Sequence, residues 1–486
     1  MVDDEVRALT ERALDIARSA GASYADARYL AEDSESIDVE NGRVEGVSRG
    51  SDAGIGVRVQ VDGAWGFAGT ALLDAKEVER VANLAVEIAR SSRPLLRSPV
   101  VLAAEQPVET FWETAVTEDP FEVSLDEKID LLLKASAELQ SVQGLTIAQS
   151  SMDFWRRHSF LATSEGARIE QIVTQSGAGI VALAVGDREV QQRSFPNSFR
   201  GHFACMGYEH IRSLGLADNA ARIAEEAVAL HKAPECPSGR TTIVLDPTQL
   251  CLQVHESVGH PLELDRVLGM EAAYAGTSFV KPDDRGKLRY GSDQITITCD
   301  STLPGALGSY GYDDEGVPAR REVLIERGIF QRFLSSRETA PVIGESRSNG
   351  TMRADSWGVI PLIRMPNINL EPGTSSLDEM IGTTDDGIYM TTNISWSIDD
   401  KRTNFQFGTE IAWEIKNGKL GRMLRNPNYA GKTVEFWSSC DALGGPTEWK
   451  VYGTPNCGKG QPPQVARVAH GTSPGRFRDV QVGVRG

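Results

Sequence analysis

TTIVLDPTQLCLQVHESVGHP, residues 241–261, changes character at Asp246. Thr242 to Leu245 form a β-branched, apolar run that reads as a strand. Asp246 is a good N-cap and Pro247 suits the first helical position, so a helix is expected from Pro247 to about Gly259. His255, Glu256 and His260 then fall on or just beyond its C-terminal part. The spacing is H-E-x-x-x-H, one residue longer than the H-E-x-x-H of zinc proteases. In an α-helix, residues four apart differ by about 40° around the axis and residues five apart by about 140°. A straight helix would therefore not aim both histidines at one ion. Gly259 weakens the last turn, and Pro261 disfavours α-helical dihedrals at His260, so the turn could widen or break there. A π-type bulge would do the same. The motif alone leaves two readings open: a metal site with Glu256 as general base, or an amphipathic helix that carries two histidines.

Upstream of this stretch, one order of elements is written twice. Val6, Leu9, Ala13, Ile16 and Ala17 share a helical face, and Gly21 ends that helix. Alternating segments follow, with turn signals at Glu40-Asn41-Gly42-Arg43 and Val61-Asp62-Gly63-Ala64 that mark hairpins. A second helix is expected from about Ala75 to Arg90. Residues 92–120 carry four prolines and no periodicity, so they read as a connection. Ser124-Leu125-Asp126-Glu127 is a capping box that opens the next helix. Strand-like runs come after it, including residues 188–195, and a helix from about Asp218 to Lys232 closes the unit. Residues 237–486 are rich in Gly, Pro and short β-type runs, with hairpin turns at Glu326-Arg327-Gly328 and Lys416-Asn417-Gly418. The expected class is α+β: N-terminal helix and antiparallel-sheet units, then a β-rich C-terminal domain that carries the helix with the histidines. The corresponding domain spans are 1–115, 116–236 and 237–486.

Composition narrows the partners. The 486-residue chain has a formal net charge of -18, which argues against nucleic acid or an anionic membrane surface. No run of about 18 apolar residues suggests a membrane span. The acidic, amphipathic N-terminus lacks the pattern of a secretory signal, so a cytoplasmic location is expected. Six cysteines are scattered without any C-x-x-C pair, which excludes a disulfide framework; most are expected to be packing residues. A weaker reading makes one of them a nucleophile.

HESVGHPLELD, residues 255–265, is similar to the H-E-x-x-G-H-x-x-E-x-D signature of the TldD/PmbA family of metalloproteases. GSYGYDDEGVPARREVLIERGIF (308–330) resembles the family's D-D-E-G segment, and SNGTMRADSWGVIPLIRMPNINLEPG (348–373) its arginine-to-M-P-N segment. The terminus from Thr454 to Gly483 resembles its C-G-K-x-G-Q end, and SIDVENGRVEGVSRGSDAGIGVRV (36–59) fits its N-terminal pattern. The resemblance implies a zinc-dependent peptidase of the metal-binding TldD type that acts on unfolded or unstructured peptides. It implies Zn²⁺ held by His255, His260 and Cys457, with Glu256 as the base that activates water at the metal. It also implies a homodimer, or a pair with a PmbA/TldE-like partner subunit. Two rivals stand beside it: a zinc hydrolase of another amide, and a non-enzymatic peptide-binding subunit.

Glu263 and Asp265 match the signature and are expected to orient the ligand histidines. Arg353 is expected to bind a peptide carboxylate or an oxyanion, or else to be a surface arginine. Asp313, Asp314 and Glu315 lack calcium-loop spacing and read as a turn with capping side chains. Cys440 is the rival third ligand. His158, His202, His210, His231 and His470 have no partner at ligand spacing and are assigned no role. A β-rich protease domain also suits substrates that add as a strand to a sheet edge.

Overall fold

In the computed structural model, the Asp246 side chain accepts a 2.9 Å hydrogen bond from Thr248 N–H, and Pro247 opens the helix as the sequence predicts. The structure describes residues 2–187 and 189–483. Arg188, the first residue of the strand-like run at 188–195, and the outermost residues of the two terminal domain spans lie outside the described residues.

The repeated order upstream is real. The first unit comprises α1 (Asp4–Ser19), β1 (Tyr24–Glu40), β2 (Arg43–Val61), β3 (Ala64–Thr70) and α2 (Ala75–Ser92). Asn41 and Gly42 both take positive φ, 48° and 72°, as an N-G turn between twisted strands requires. After β4 (Glu109–Glu113), the second unit comprises α3 (Leu125–Gln140), β5 (Ile147–Thr163), β6 (Arg168–Val185), β7 (Val190–Phe195), β8 (His202–Ala204), α4 (Tyr208–Ser213) and α5 (Leu216–Leu230). Leu9, Ala13, Val57, Val59, Val81 and Ala85 form one core under α1 and α2; Leu132, Leu139, Met152, Ile180 and Ile223 form another under α3 and α5. β1 pairs with β5 from Asp26↔Thr163 to Glu40↔Gln149, so both units share one eight-stranded sheet in the order β3-β2-β1-β5-β6-β4. The short strands β7 and β8 also pair with β6.

One expectation fails here. Residues 92–120 are not only a connection, because Glu109–Glu113 pairs in parallel with Arg168–Ile172. The β-branched and aromatic run Thr110-Phe111-Trp112 was a strand signal that the surrounding prolines masked.

The C-terminal half is β-rich. β9 (Gly239–Leu245) leads into α6 (Pro247–Val254), and α7 (Leu264–Val267) follows the histidines. β10 (Ile297–Asp300), β11 (Arg321–Glu326), β12 (Ile329–Phe330) and β15 (Ile368–Leu370) form a four-stranded sheet, and β13 (Met352–Arg353) pairs with β14 (Leu362–Ile363). Beyond α8 (Leu377–Gly382) come β16 (Asp386–Ile398), β17 (Asn404–Lys416), β18 (Lys419–Leu424), β19 (Asn428–Lys432), α9 (Thr433–Ser438), β20 (Cys440–Leu443), β21 (Lys450–Lys459), β22 (Gln464–Thr472) and β23 (Gly475–Val482). Pairing runs from β16 to β9, β23, β19, β17 and back to β16, so these five strands close a ring. All eight residues of α6 are buried. It is a core helix, not a surface helix with one wet face: Gln249 and Gln253 point inward and share the Tyr429 hydroxyl at 2.9 and 2.8 Å. Such a helix is a rigid base for whatever follows it.

Candidate metal centre

The α-helical pattern stops at Val254. From His255 to Gly259 the backbone is a π-turn, in which His260 N–H donates to the His255 carbonyl five residues back. The wider turn brings residues five apart onto one side of the helix, and the two imidazole centres stand 4.9 Å apart. The extra residue of H-E-x-x-x-H is thus absorbed by the helix. Pro261 does not displace His260 from helical dihedrals, contrary to expectation: His260 has φ -59° and ψ -42°. Lacking an N–H, Pro261 ends the π-type ladder, and a 3₁₀ turn over His260–Leu262 takes over. Gly259 is required by space. A Cβ there would lie 1.8 Å from the Met365 sulfur, and Met365 is fully buried. The M-P-N segment therefore packs directly on the turn.

Cys457 arrives from β21. The register between β21 and β22 shifts between Thr454 and Cys457, a bulge of the kind that re-aims side chains. Its sulfur stands 3.7 Å from His260 Nε2. One ligand atom from each of His255, His260 and Cys457 lies within 4.8 Å of the others, and all three residues are buried. Cys440 is not part of this group; its thiol donates to the Ala442 carbonyl.

The surroundings orient each donor. Glu263 Oε2 accepts from His260 Nδ1 at 2.9 Å, which leaves Nε2 with its lone pair toward Cys457. His255 Nδ1 lies 2.8 Å from His470 Nε2, and His470 Nδ1 lies 3.0 Å from the Ile368 carbonyl. Arg364 donates to the Cys457 carbonyl. Burial lowers both His255 and His260 from the ordinary histidine range, so both rings favour the neutral form that can ligate. Burial alone would raise the Cys457 thiol, but His260 and Arg364 outweigh it and bring it below the ordinary value. Every other cysteine moves up, chiefly through burial: Cys205, Cys299 and Cys440, with Cys236 at about 11 and Cys251 at about 12. Two imidazoles and a thiol that converge from three buried positions fit a zinc ion, which would bind the neutral rings and the thiolate.

The remaining expected residues are spread more widely. Glu263 touches His260. Asp265 touches neither histidine; its Oδ1 accepts from Lys459 Nζ at 2.7 Å, and Lys459 also reaches Glu263 at 3.3 Å. Arg353 lies outside the cavity that holds the donors. It donates to the Arg467 and Met365 carbonyls and lines a separate cavity of about 390 Å³ against the N-terminal sheet. Asp313 accepts backbone N–H groups of Glu315, Val317 and Met352, and Asp314 accepts that of Ala354, so both act as capping side chains. Glu315 pairs with Arg58 of the N-terminal sheet.

Two residues were missed. His470 contacts His255, as given above. Arg402, in the turn after β16 and at φ 63°, donates to Glu256 Oε2. Glu256, Arg402, the three donors, Phe199 and Trp396 line a cavity of about 370 Å³.

Two buried histidines and a cysteine make a three-donor group of the residue types that bind zinc, and a glutamate beside the first histidine stands where the base of a metal-dependent hydrolase would be. Three family models match the chain: PmbA/TldA metallopeptidase domain 1 over residues 25–89, the central domain over 118–230 and the C-terminal domain over 238–483. A Methanocaldococcus jannaschii protein named a metalloprotease is 30% identical over 424 residues, 86% of this chain and 89% of that one. A Saccharolobus solfataricus protein named a zinc metalloprotease TldD homolog is 24% identical over 436 residues, 88% of this chain and 90% of that one. In fold, the crystal structure of TldE from Thermococcus kodakarensis aligns with TM-score 0.71 at 17% identity, covering 98% of this chain and 100% of that one. The chain belongs to the PmbA/TldD metallopeptidase family.

Proposed function

We propose that this chain is a zinc-dependent peptidase of the TldD type that hydrolyses unfolded or unstructured peptides, with Glu256 as its general base. The observation that carries this reading is the buried His255–His260–Cys457 group with Glu256 in the same cavity wall. His255, His260 and Cys457 would hold a zinc ion, which would supply Lewis acidity to the scissile carbonyl and to water. Glu256 takes a proton from the attacking water and passes it to the leaving amine. Arg402 holds Glu256 Oε2, which fixes the carboxylate and leaves Oε1 for the proton. Glu263 and His470 hold the ligand rings, and Asp265 acts on Glu263 through Lys459.

The substrate reading rests on β16. It pairs with β9 only through Met390, and beyond Asn393 its pairing among the described strands is with β17 alone. Trp396, Ser397 and Ile398 line the cavity. An extended peptide can add to this free edge through its backbone, with Trp396 and Phe199 taking apolar side chains. Assembly as a homodimer or with a PmbA/TldE-like partner, and a cytoplasmic location, belong to the same proposal.

The test is zinc per chain and cleavage of unfolded peptides, for the wild type and Glu256→Gln. About one zinc in both, with cleavage lost only in the variant, supports the proposal. A wild type that takes up no zinc on reloading would sink it.

A further inference from the structure

We propose that His470 is a positioning residue for His255: it dictates which nitrogen of that ring carries the proton, and so keeps Nε2 of His255 free for a metal. The inference rests on reading the site as a metal centre. Its ground is the direction of two hydrogen bonds in series.

The Ile368 carbonyl can only accept. His470 Nδ1, 3.0 Å from it, must therefore carry the N–H and donate. A neutral imidazole has one N–H, so His470 Nε2 is an acceptor. His255 Nδ1 lies 2.8 Å from that nitrogen and must donate to it. His255 Nε2 is then left with its lone pair. The polarity of the whole series is thus set by one backbone carbonyl. That carbonyl is itself held in a sheet, because Ile368 of β15 pairs with Cys299 of β10. His470 is fully buried and sits on β22, where its partner Tyr452 belongs to the strand that carries Cys457. The ring centroids are 4.9 Å apart with the planes at 83°, and the 2.8 Å separation of His255 Nδ1 and His470 Nε2 is much shorter, so the two nitrogens face each other across the contact.

The two ligand histidines are therefore oriented by different chemistry. His260 donates to a carboxylate, Glu263, and His255 to a neutral ring. Replacing His470 by leucine keeps most of the volume and removes the acceptor. His255 must then bury an unmet N–H or move its proton to Nε2, where a metal has to displace it. Glutamine restores the series, since its amide N–H can donate to Ile368 while its oxygen accepts from His255.

The experiment is zinc affinity by competition with a chromogenic chelator, for the wild type, His470→Leu and His470→Gln. Folding of the zinc-free forms is checked by circular dichroism. His470→Leu is expected to bind zinc about 10–100-fold more weakly, and His470→Gln to stay within about threefold of the wild type. Equal affinity in His470→Leu overturns the proposal. So does a His470→Gln variant as weak as the leucine, which would assign the effect to ring packing. If the leucine variant does not fold, ¹⁵N resonances of the histidine rings in zinc-free wild type decide: an N–H on His255 Nδ1 supports the inference, and one on Nε2 overturns it. With seven histidines in the chain, assignment by single substitution is practical. A wild type that binds no zinc defeats the metallopeptidase reading instead, and the ring tautomer still reports on His470.

Discussion

Cys457 is the residue on which the donor set turns. It is the one cysteine whose thiol is drawn below its ordinary value, while burial drives Cys440 the other way. Elemental analysis should find that Cys457→Ala holds far less zinc than the wild type and that Cys440→Ala holds as much; the reverse pattern would move the third ligand to Cys440. On the proposed reading, Glu256 separates binding from chemistry. Glu256→Gln should keep the metal and lose about 10²–10⁴-fold in kcat on an unfolded peptide, the usual worth of a general base. Arg402→Met should also keep the metal, with kcat about 10–100-fold lower and KM little changed, because the guanidinium holds the base and not the ion. A rise in KM alone would make Arg402 a substrate contact. That His255, His260 and Cys457 come together was legible, the histidines from their own motif and Cys457 from the family resemblance. His470 and Arg402 were not, because they meet their partners across 215 and 146 residues and no local pattern records such a contact.

At the scale of the element, the π-turn converts an unpromising spacing into a paired one. The strand at 239–245, the Asp246 cap and the N-G and D-G hairpins could all be read from local chemistry. The choice between a broken turn, an extended His260 and a π-bulge could not, because it depends on what packs against the turn. Met365 makes that choice: its sulfur occupies the space a side chain at 259 would need. Gly259 has ordinary helical dihedrals, so an alanine there is opposed by overlap alone. Gly259→Ala should destabilise the fold by about 1–3 kcal/mol, as overpacked cores do, and should weaken zinc binding through displaced histidines. Pairing it with Met365→Ala should recover part of both. Chemical denaturation and chelator competition check this, and a Gly259→Ala protein with unchanged stability would mean that the turn has slack the packing does not suggest. The strand at 109–113 shows the opposite limit: its β-type residues Thr110, Phe111 and Trp112 were visible, but five residues among prolines do not declare a partner, and the partner is Arg168–Ile172 of β6.

At the scale of the whole molecule, the N-terminal sheet and the C-terminal domain are joined by partly and fully buried charge. Glu32 on β1 accepts from Arg157 of β5 and, through both oxygens, from Arg467 of β22, the strand that also carries His470. Arg58 bridges Asp26, six residues back along β1 from Glu32, and Glu315. Burial by itself would raise the Glu32 carboxyl, but Arg157 and Arg467 outweigh it and lower it from 4.5 to about 2. A depressed carboxyl stabilises the folded state fully above its unfolded value and loses that contribution as pH falls through its folded value. The contribution is therefore complete above about 4.5, declines from there, and is gone near 2. Its size is on the order of 3 kcal/mol at neutral pH. Glu32→Gln should thus melt below the wild type near pH 7, and the gap should narrow steadily on acidification between 4.5 and 2. Thermal unfolding followed across that range is the check. A gap that stays constant would mean that the pair is worth no more than the packing of its side chains. A gap that closes would show that one carboxylate, placed on the first long strand, helps hold the N-terminal sheet against the strand that carries His470.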